Sequence, residues 1–284
     1  MIIALFYNTQ HRQSKQLAVG IREFLTSHKV QVVSDDAEAK EIGATPLSKV
    51  KAADINFIIS LGGDGTILSI VHAYPAINAP ILGINTGHLG FMADVQVADV
   101  YPSLQDLLAG RFTVEERLIL EGKDHHGKPS FAVNDFVIHR SPNPSMIEIG
   151  IHVDGLYLNT FEADGLIIAT PNGSTAYSLG AGGPIVSPSL EAVVITPICP
   201  HTISNRPIVL TADKEIQIQY LSDYPPVEVR ADGLPPFSLA SGESFHIRKS
   251  EKKFKLVSLM RLDYFSTLRS KLGWSGKLRQ KNID

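Results

Sequence analysis

The sequence predicts two domains: an α/β domain with a parallel sheet and flanking helices over residues 1–110, and a mostly antiparallel β-sandwich over residues 111–259. In the first part, short apolar runs alternate with stretches of helical spacing, which is typical of parallel strands covered by helices. In the second part, apolar and polar residues alternate with a period of two, which is typical of antiparallel strands. The length of 284 residues also suits two domains of roughly 100–200 residues each.

The first domain shows strand and helix patterns in alternation. Residues 2–7, 55–61 and 80–84 are short apolar runs that predict buried strands. Apolar residues recur at helical spacing over residues 17–25 and again over residues 67–71. A strand–helix–strand order of this kind implies a parallel sheet with helices on its faces.

The second domain changes to the strand period. Residues 147–153 alternate between apolar and polar side chains, and Asp154-Gly155 then predicts a hairpin turn before the next apolar run. The alternation returns over residues 216–220 and 227–231, with turn signals between the runs. These features predict an antiparallel sandwich. Helical spacing returns over residues 264–272.

Composition excludes several classes of function. A net charge of −3, with acids and bases mixed along the chain, argues against a broad nucleic-acid-binding surface. No apolar run approaches the roughly 20 residues that a membrane span needs. The single cysteine, Cys199, lies in an apolar run and is expected to be a buried small hydrophobe. One cysteine allows no internal disulfide, so we expect a cytoplasmic protein.

The segment Gly62-Gly63-Asp64-Gly65-Thr66 lies where a buried strand gives way to a helix. Glycines let the backbone approach a ligand closely, and the first N–H groups of a helix favour phosphate. An acid at this place repels a nucleotide unless it accepts a proton or holds a hydroxyl or a metal. Asp64 is therefore either such a group or an ordinary turn or N-cap residue, and the segment alone leaves both interpretations open.

Two other phosphate-binding patterns fail on inspection. Residues 63–68 half-match the dinucleotide fingerprint, but Leu68 replaces its last glycine. Residues 122–128 match most of a P-loop, but Pro129 stands where a serine or threonine should bind magnesium, and a polar hairpin loop explains them better. His125 and His126 in this loop could bind a metal, but no cysteine or acidic cluster supports that, so solvated loop histidines are the better interpretation. No metal site is predicted on the protein itself.

Two further segments suggest a ligand site. Residues 164–187 run from a strand into a glycine-rich turn, where Tyr177 offers an aromatic face and a hydroxyl group. An ordinary loop with a core tyrosine explains this segment as well. Asn134 and Asp135 are adjacent polar residues in an otherwise apolar run, and such pairs usually mark a sheet edge or a site.

Together these segments resemble the NAD kinase family over most of the chain. GGDGT at residues 62–66, INTGHLGF at residues 84–91, the pair at residues 134–135 and ATPNGSTAYSLGAGGPI at residues 169–185 occur in the family's order and approximate spacing. The tail DYFSTLRSKLGW is also similar. GGDGT by itself is shared with phosphofructokinases and lipid kinases, whereas its combination with TPNGSTAYS is highly specific.

The resemblance implies an enzyme that moves a phosphoryl group from ATP to the 2′-hydroxyl of the adenosine ribose of NAD, giving NADP. Asp64 would be the catalytic residue, as the acceptor of the hydroxyl proton or its orienter. Gly62, Gly63, Gly65 and Thr66 would line the phosphates. The substrate-binding residues would be Asp64, Gly65, Phe91, Asn134, Asp135, Asp164, Thr175, Ala176, Tyr177, Ser178, Leu179 and Gly180.

Within this set, the resemblance assigns Asn134 and Asp135 to the adenosine ribose, residues 175–180 to the surroundings of the adenine, and Asp164 to the nicotinamide end. Phe91 would form an apolar wall. The resemblance also implies Mg²⁺ or another divalent cation bound with ATP, a homo-oligomer (a dimer or a tetramer), and a C-terminal helical segment over residues 260–284 that packs back on the first domain.

This chain departs from the usual family pattern at three positions. Asp135 stands where glutamate is commoner, Asn172 where threonine or serine is common, and His88 where arginine or asparagine often appears. Aspartate is one methylene shorter than glutamate, so its ribose contact could run through water. None of the three changes removes a group that the chemistry requires.

Three other functions compete with this interpretation. A diacylglycerol- or sphingosine-type lipid kinase shares GGDGT, but the TAYS segment and the lack of an apolar membrane-facing helix argue against it. A non-catalytic NAD(H)-binding redox sensor is disfavoured by Asp64 beside the glycines. A dehydrogenase is weaker still, because the fingerprint is broken and no ribose-binding acid follows at about 20 residues.

Overall fold

The computed structural model describes residues 1–9, 12–87, 90–141, 143–202, 204–259, 263–274 and 276. It divides into two compact units: the first unit contains residues 1–115 and the residues from 255 onward, and the second unit contains residues 116–254. His88 and parts of the C-terminal segment lie outside the described residues.

The elements are numbered in chain order. The strands are β1 (Ile2–Tyr7), β2 (Gln31–Ser34), β3 (Thr45–Pro46), β4 (Phe57–Leu61), β5 (Ile81–Asn85), β6 (Ala93–Gln96), β7 (Thr113–Lys123), β8 (Pro129–Ala132), β9 (Asp135–His139), β10 (Ile147–Val153), β11 (Leu156–Ala163), β12 (Gly165–Ala169), β13 (Ala192–Ile198), β14 (Ile208–Thr211), β15 (Ile216–Tyr220), β16 (Val227–Ala231), β17 (Phe237–Leu239) and β18 (Ser244–Ser258). The helices are α1 (Arg12–Ser27), α2 (Asp36–Ile42), α3 (Asp64–Ala73), α4 (Val100–Leu108), α5 (Tyr177–Gly180) and α6 (Tyr264–Leu272).

The first unit is built on a parallel sheet. Its strands pair in the order β6–β5–β4–β1–β2–β3, and every one of these pairs is parallel. The end of β18 also pairs with β5 in parallel, with Leu256 opposite Ile81. Helix α1 buries Ala18, Ile21 and Leu25 against the sheet, as its helical spacing predicts. The predicted α/β architecture is therefore confirmed.

The boundaries of the predicted elements moved by small amounts. The strand predicted over residues 55–61 begins at Phe57 because the residues before it, Ala52–Asp54, form a 3-10 turn that the Ile55 N–H closes. The helix predicted over residues 264–272 has those bounds. Asp263 caps its start by accepting the Ser266 N–H at 2.9 Å, which satisfies one of the first N–H groups of the helix.

The second unit is an antiparallel sandwich, as predicted. One sheet has the order β11–β10–β15–β18, with the β7–β8 hairpin attached, and the other has the order β14–β13–β12–β9–β16–β17. Apolar side chains of both sheets form one core. The rings of Phe136 on β9 and Phe245 on β18 meet edge to face, 5.1 Å apart, and both are fully buried. Such pairs give packing enthalpy beyond their buried area.

Two expectations for the second unit have clear outcomes. The Asp154-Gly155 hairpin is confirmed, with φ of 50° and 78° at its two turn residues, as a tight hairpin turn requires. The prediction that Cys199 is buried is wrong: β13 ends at Ile198, and the chain turns outward at Cys199, which is exposed with φ of 45°. The apolar run ends one residue earlier than its composition suggested.

No helix in the described part of the chain is long and apolar enough to cross a membrane.

Candidate active site

The GGDGT turn joins β4 to α3 in the first unit. Gly63 is the N-cap of α3 and has an extended backbone. A Cβ atom at Gly62 would stand 2.2 Å from Thr66 Oγ1, so only glycine lets the helix begin this close to the strand. At Gly63 and Gly65, in contrast, a Cβ atom would meet no heavy atom within 4 Å. The backbone of these two glycines is therefore open to a ligand.

An open cleft of about 540 Å³ lies beside this turn. Its lining residues come from the end of β1 and from the start of α3: Tyr7, Asn8, Thr9, Gly63, Gly65, Thr66 and Ser69. The first N–H groups of a helix have no partner within the helix and carry its positive dipole end. A neutral, polar cleft at such a place is suited to phosphate groups.

Asp64 is the first residue of α3, and its carboxylate binds a loop. It accepts three consecutive backbone N–H groups: Phe91 at 2.8 Å, Met92 at 3.0 Å and Ala93 at 3.0 Å. A Cβ atom at Gly90 would stand only 2.0 Å from Asp64 Oδ1, so this approach requires glycine there. The N-cap alternative for Asp64 is wrong, since Gly63 occupies that position.

Phe91 connects this loop to the C-terminal helix within the first unit. Its ring is half-buried, and the centroid lies 6.4 Å from that of Tyr264. Lys271 Nζ lies 5.4 Å from the Phe91 ring centroid, within range of a cation–π contact. Helix α6 therefore contacts the same residue whose N–H binds Asp64, which places Phe91 between the helix and the carboxylate.

In the second unit, Asp232 repeats the arrangement seen at Asp64. Its carboxylate accepts the N–H groups of Val133 at 2.8 Å, Asn134 at 2.7 Å and Asp135 at 3.1 Å. The Asp232 N–H donates in return to the Asp135 carbonyl at 3.0 Å. Sequence reasoning missed this residue, because Asp232-Gly233 has the pattern of an ordinary turn. No local signal distinguishes it from Asp154-Gly155.

The apolar residues around Asn134 predicted that it lies inside a strand, but it does not. The contacts of Asp232 explain the difference. Strand β8 ends at Ala132 and β9 begins at Asp135, so Asn134 lies in the bend between them. The N–H groups of this bend point to a carboxylate rather than to a neighbouring strand. Asn134 therefore lies in a bend and not in a strand, and its role in binding stays a prediction.

Asn134 is the centre of a polar network. Its Oδ1 accepts a hydrogen bond of 2.6 Å from Asn172 Nδ2, and Asn172 Oδ1 accepts one from Arg117 Nη1. The Thr170 N–H donates to the Asn134 carbonyl at 2.8 Å. A Cβ atom at Gly173 would stand 2.1 Å from that same carbonyl oxygen. Asn172 is thus a structural partner of Asn134, and Arg117 is a buried cation that sequence reasoning missed.

Asp135 is a buried acid, with 5% of its surface exposed. Burial, and to a smaller extent the negative charge of Asp232, raises the pKa of the Asp135 carboxyl to about 7. The group therefore exchanges its proton in the neutral range. A carboxyl with this property at a ligand site can donate as well as accept a hydrogen bond.

The predicted adenine wall follows directly after this network. Asn172–Thr175 form a 3-10 helix and α5 follows it. Ser174 and Ser178 are buried and anchor the segment: Ser174 Oγ accepts the Val186 N–H at 3.0 Å, and Ser178 Oγ lies 2.9 Å from Thr196 Oγ1. The remaining residues are half-buried or exposed and stay available to a ligand: Thr175, Ala176, Tyr177, Leu179 and Gly180.

Asp164 lies at the other end of β12. Its Oδ1 is 2.8 Å from Arg140 Nε, and both side chains are about a third exposed. The registers place Arg140 and Asp164 just beyond the pair Gly165–His139, whereas Asp135 pairs with Ala169 at the opposite end of the same strand. At roughly 3.4 Å per residue, the two ends are about 17 Å apart. The structure therefore brings Asn134 together with Asn172 and Gly173, and it leaves Asp164 at the other end of β12.

Comparison with known proteins gives matches over most of the chain. The family model described as ATP-NAD kinase N-terminal domain matches residues 3–112, and the one described as ATP-NAD kinase C-terminal domain matches residues 133–259. The NAD kinase of Protochlamydia amoebophila is 55% identical over 278 residues, which cover 98% of this chain and 100% of the relative. The NAD kinase of Nitrosomonas eutropha is 41% identical, covering 93% and 91% of the two chains.

Two solved structures are also similar. The crystal structure of yeast NADH kinase complexed with NADH superposes with a TM-score of 0.89 at 27% identity, covering 99% of this chain and 90% of the other. The structure of an NAD kinase from Archaeoglobus fulgidus in complex with ATP gives a TM-score of 0.74 at 27% identity, covering 96% and 98%. Both matches extend through the two units.

The first prediction is that Asp135 makes the free energy of unfolding depend on pH. Its native pKa of about 7 exceeds the ordinary value of 3.8, so the folded chain keeps this proton to higher pH than the unfolded chain. The contribution of Asp135 to the free energy of unfolding is complete below pH 3.8 and is lost as the pH rises to about 7. In this window the slope approaches −1.4 kcal/mol per pH unit, to within about a factor of two.

Urea unfolding of the wild-type protein and of Asp135→Asn, between about pH 5 and about pH 8, measures this effect. The variant cannot ionise at this position, so its unfolding free energy should fall less steeply with pH than that of the wild type. Parallel curves for the two proteins would contradict the raised pKa.

The second prediction compares two aspartates in the same backbone conformation. Asp232 and Asp154 both have φ of 50° and precede a glycine with positive φ. Asp232→Asn removes the charge that holds three N–H groups and should lower the free energy of unfolding by about 1.5–3 kcal/mol. Asp154→Asn should cost much less, because the contacts of its carboxylate with Lys214 and Glu215, in the turn between β14 and β15, are exposed to solvent. Equal losses in urea unfolding would refute the special role of Asp232.

Proposed function

This chain belongs to the NAD kinase family, and we propose that it transfers the γ-phosphoryl group of ATP to the 2′-hydroxyl of the adenosine ribose of NAD, giving NADP. The observation that carries the proposal is the carboxylate of Asp64, fixed by three N–H groups at the start of α3, beside a cleft that exposes the backbone of Gly63 and Gly65. The relatives at 55% and 41% identity are NAD kinases and support the same activity.

ATP and NAD are the proposed ligands. The Archaeoglobus NAD kinase carries ATP in its crystal structure, and the yeast NADH kinase carries NADH. In this chain, the cleft at the start of α3 is suited to the phosphates because helix N–H groups and hydroxyl groups line it. We propose Asn134 and Asp135 for the adenosine ribose, residues 175–180 for the adenine, and Asp164 for the nicotinamide end.

Asp64 is the proposed acceptor of the 2′-hydroxyl proton, or its orienter. Phosphoryl transfer needs in-line positioning and a group that receives the hydroxyl proton. A carboxylate offers roughly four acceptor positions, and the N–H groups of Phe91, Met92 and Ala93 use three. The position that is left can bind the substrate hydroxyl. Because the other three bonds fix the direction of the carboxylate, the hydroxyl is oriented before the reaction begins.

We propose that Mg²⁺ binds together with ATP. Mg²⁺ prefers hard oxygen ligands, keeps several waters and is held largely by substrate phosphates. The cleft fits such an ion, because the polar residues that line it carry amide or hydroxyl oxygens: Asn8, Thr9, Thr66 and Ser69. When bound, the ion neutralises negative charge on the phosphates. The protein residues meanwhile position the nucleotide and hold the 2′-hydroxyl.

A cytoplasmic location and a homo-oligomeric state, a dimer or a tetramer, are also proposed. The first rests on the single cysteine of the chain, and the second on the resemblance to the family. Fractionation of cells and sedimentation velocity of the purified protein test them separately from the activity.

The decisive test of the function is an assay of the purified protein with NAD, ATP and Mg²⁺. A dehydrogenase specific for NADP detects the product, and omission of ATP is the control. Production of NADP that requires ATP supports the proposal. Binding of NAD without any NADP would instead identify a non-catalytic sensor, and phosphorylation of a lipid in place of NAD would identify a lipid kinase.

A third prediction separates the proton-accepting role of Asp64 from its positioning role. Asp64→Asn should lower kcat by about 10²–10⁴-fold if the carboxylate accepts the proton. It should also lower thermal stability, because an asparagine side chain offers fewer acceptors to the three N–H groups. The pH profile of kcat distinguishes the roles: only loss of a general base removes the acid limb of the wild-type curve.

Gly90→Ala tests the position of the same carboxylate without removing it. The new Cβ atom would stand 2.0 Å from Asp64 Oδ1 and must displace it, so kcat should fall by about 10²-fold. Gly87→Ala is the matched control on the same loop, since the nearest atom to its Cβ lies 4.0 Å away. Similar kcat values for both variants would contradict the proposed alignment.

A fourth prediction concerns the ribose contact of Asp135. Asp135→Ala should raise the KM for NAD far more than the KM for ATP, because a charged hydrogen bond contributes about 1.5–3 kcal/mol. Initial rates with each substrate varied in turn give both constants. A similar rise in both KM values, or none, would return Asp135 to a purely structural role.

A further inference from the structure

We propose that His125, His126 and Glu243 form a binding site for a divalent transition-metal ion of the zinc, nickel and copper class. These residues lie in the second unit and take no part in the proposed reaction. In the sequence, no cysteine or acidic cluster supports a metal site at the paired histidines, which favoured solvated loop histidines. The fold supplies a carboxylate ligand, because Glu243 reaches the histidines from a distant turn just before β18.

The three side chains already converge. His125 Nε2 lies 2.9 Å from Glu243 Oε1, and the ring centroids of His125 and His126 are 3.6 Å apart. One nitrogen from each histidine and one carboxylate oxygen lie within 4.8 Å of one another. Tetrahedral metal–ligand bonds of about 2.0–2.2 Å place ligand atoms roughly 3.3 Å apart. To reach that spacing, the three atoms must draw together by at most about 1.5 Å.

The backbone that presents these side chains is held by local hydrogen bonds. In the β7–β8 hairpin loop, Asp124 Oδ1 accepts the N–H groups of His126 at 3.0 Å and Lys128 at 2.8 Å. Glu243 Oε2 accepts the Ala240 N–H at 2.8 Å, which turns Oε1 towards His125. Such outer contacts orient ligands and strengthen metal binding. The carboxylate therefore has one oxygen anchored and the other aimed at the histidine pair.

The ligand set decides the kind of metal. Imidazole nitrogen suits zinc, copper and nickel, whereas Mg²⁺ and Ca²⁺ require oxygen ligands. Two imidazoles and one carboxylate leave a fourth position for water in a tetrahedral site. The proposed ion is therefore distinct from the Mg²⁺ that accompanies ATP. Binding should weaken at low pH, because protons compete for the imidazole nitrogens.

The chain also contains a matched control. His246 Nδ1 lies 2.9 Å from Glu215 Oε1 on the same cavity as His125, and both side chains are more exposed than those of the His125–Glu243 pair. That pair has one imidazole and one carboxylate, so it lacks the second imidazole. A simple histidine–glutamate contact and a metal site therefore make different predictions for these two places.

The test uses the full chain without a histidine tag, stripped of metals and freed of chelator. Zn²⁺ is titrated by calorimetry at neutral pH, with Mg²⁺ in a parallel titration. We expect one saturable Zn²⁺ site per chain that Mg²⁺ does not fill. His125→Asn, His126→Asn and Glu243→Gln should each weaken Zn²⁺ binding at least about tenfold, whereas His246→Asn should leave it unchanged.

Three outcomes would overturn the proposal: no saturable Zn²⁺ binding by the wild-type chain, unchanged binding in His125→Asn and His126→Asn, or a loss in His246→Asn as large as theirs. Thermal unfolding with and without Zn²⁺ gives a second readout, because an ion that binds only the folded chain raises Tm. All the variants lie outside the proposed NAD and ATP contacts, so the NADP assay reports separately on the proposed function.

Discussion

Two aspartate carboxylates, those of Asp64 and Asp232, each accept hydrogen bonds from three consecutive backbone N–H groups, and each holds the candidate site residues of its own unit in place. Buried N–H groups outside regular strands must find partners, and a carboxylate with several acceptor positions can bind adjacent ones together. Asp64 fixes residues 91–93 in the first unit. Asp232 fixes residues 133–135 in the second unit. In each unit, a loop that would otherwise have many conformations has one.

These contacts require glycine at two positions where other atoms come very close to the backbone. Gly90 lets the Asp64 carboxylate reach the amides, and Gly173 lets its loop lie on the Asn134 carbonyl. Within the second unit, the sandwich core buries Phe136 directly beside Asp135. The same burial raises the pKa of the Asp135 carboxyl to about 7. A well-packed core therefore sets both the position and the proton affinity of a proposed ribose ligand.

Two arginines of the second unit contact the proposed substrate-binding residues, one of them through Asn172. Arg117 donates to Asn172, which donates to Asn134, and Arg140 pairs with Asp164 at the opposite end of β12. The two polar clusters lie about 17 Å apart at opposite ends of the paired strands β9 and β12, and this separation suits the proposed assignment of one cluster to the ribose and the other to the nicotinamide. Asn172, a departure from the usual family pattern, keeps hydrogen-bonding groups on both sides and so preserves the chain of contacts.

The sequence by itself determined the two architectures, the GGDGT turn and the family, because each rests on local periodicity or on contiguous motifs. Helix α6 and the Asp154-Gly155 hairpin were predictable for the same reason. Only the tertiary structure decided that Asp232 holds the Asn134–Asp135 bend, that Arg117 meets Asn172, and that Glu243 meets His125. These contacts join residues far apart in the chain. A turn aspartate has the same local pattern whether or not distant amides reach its carboxylate, so no local signal reveals them.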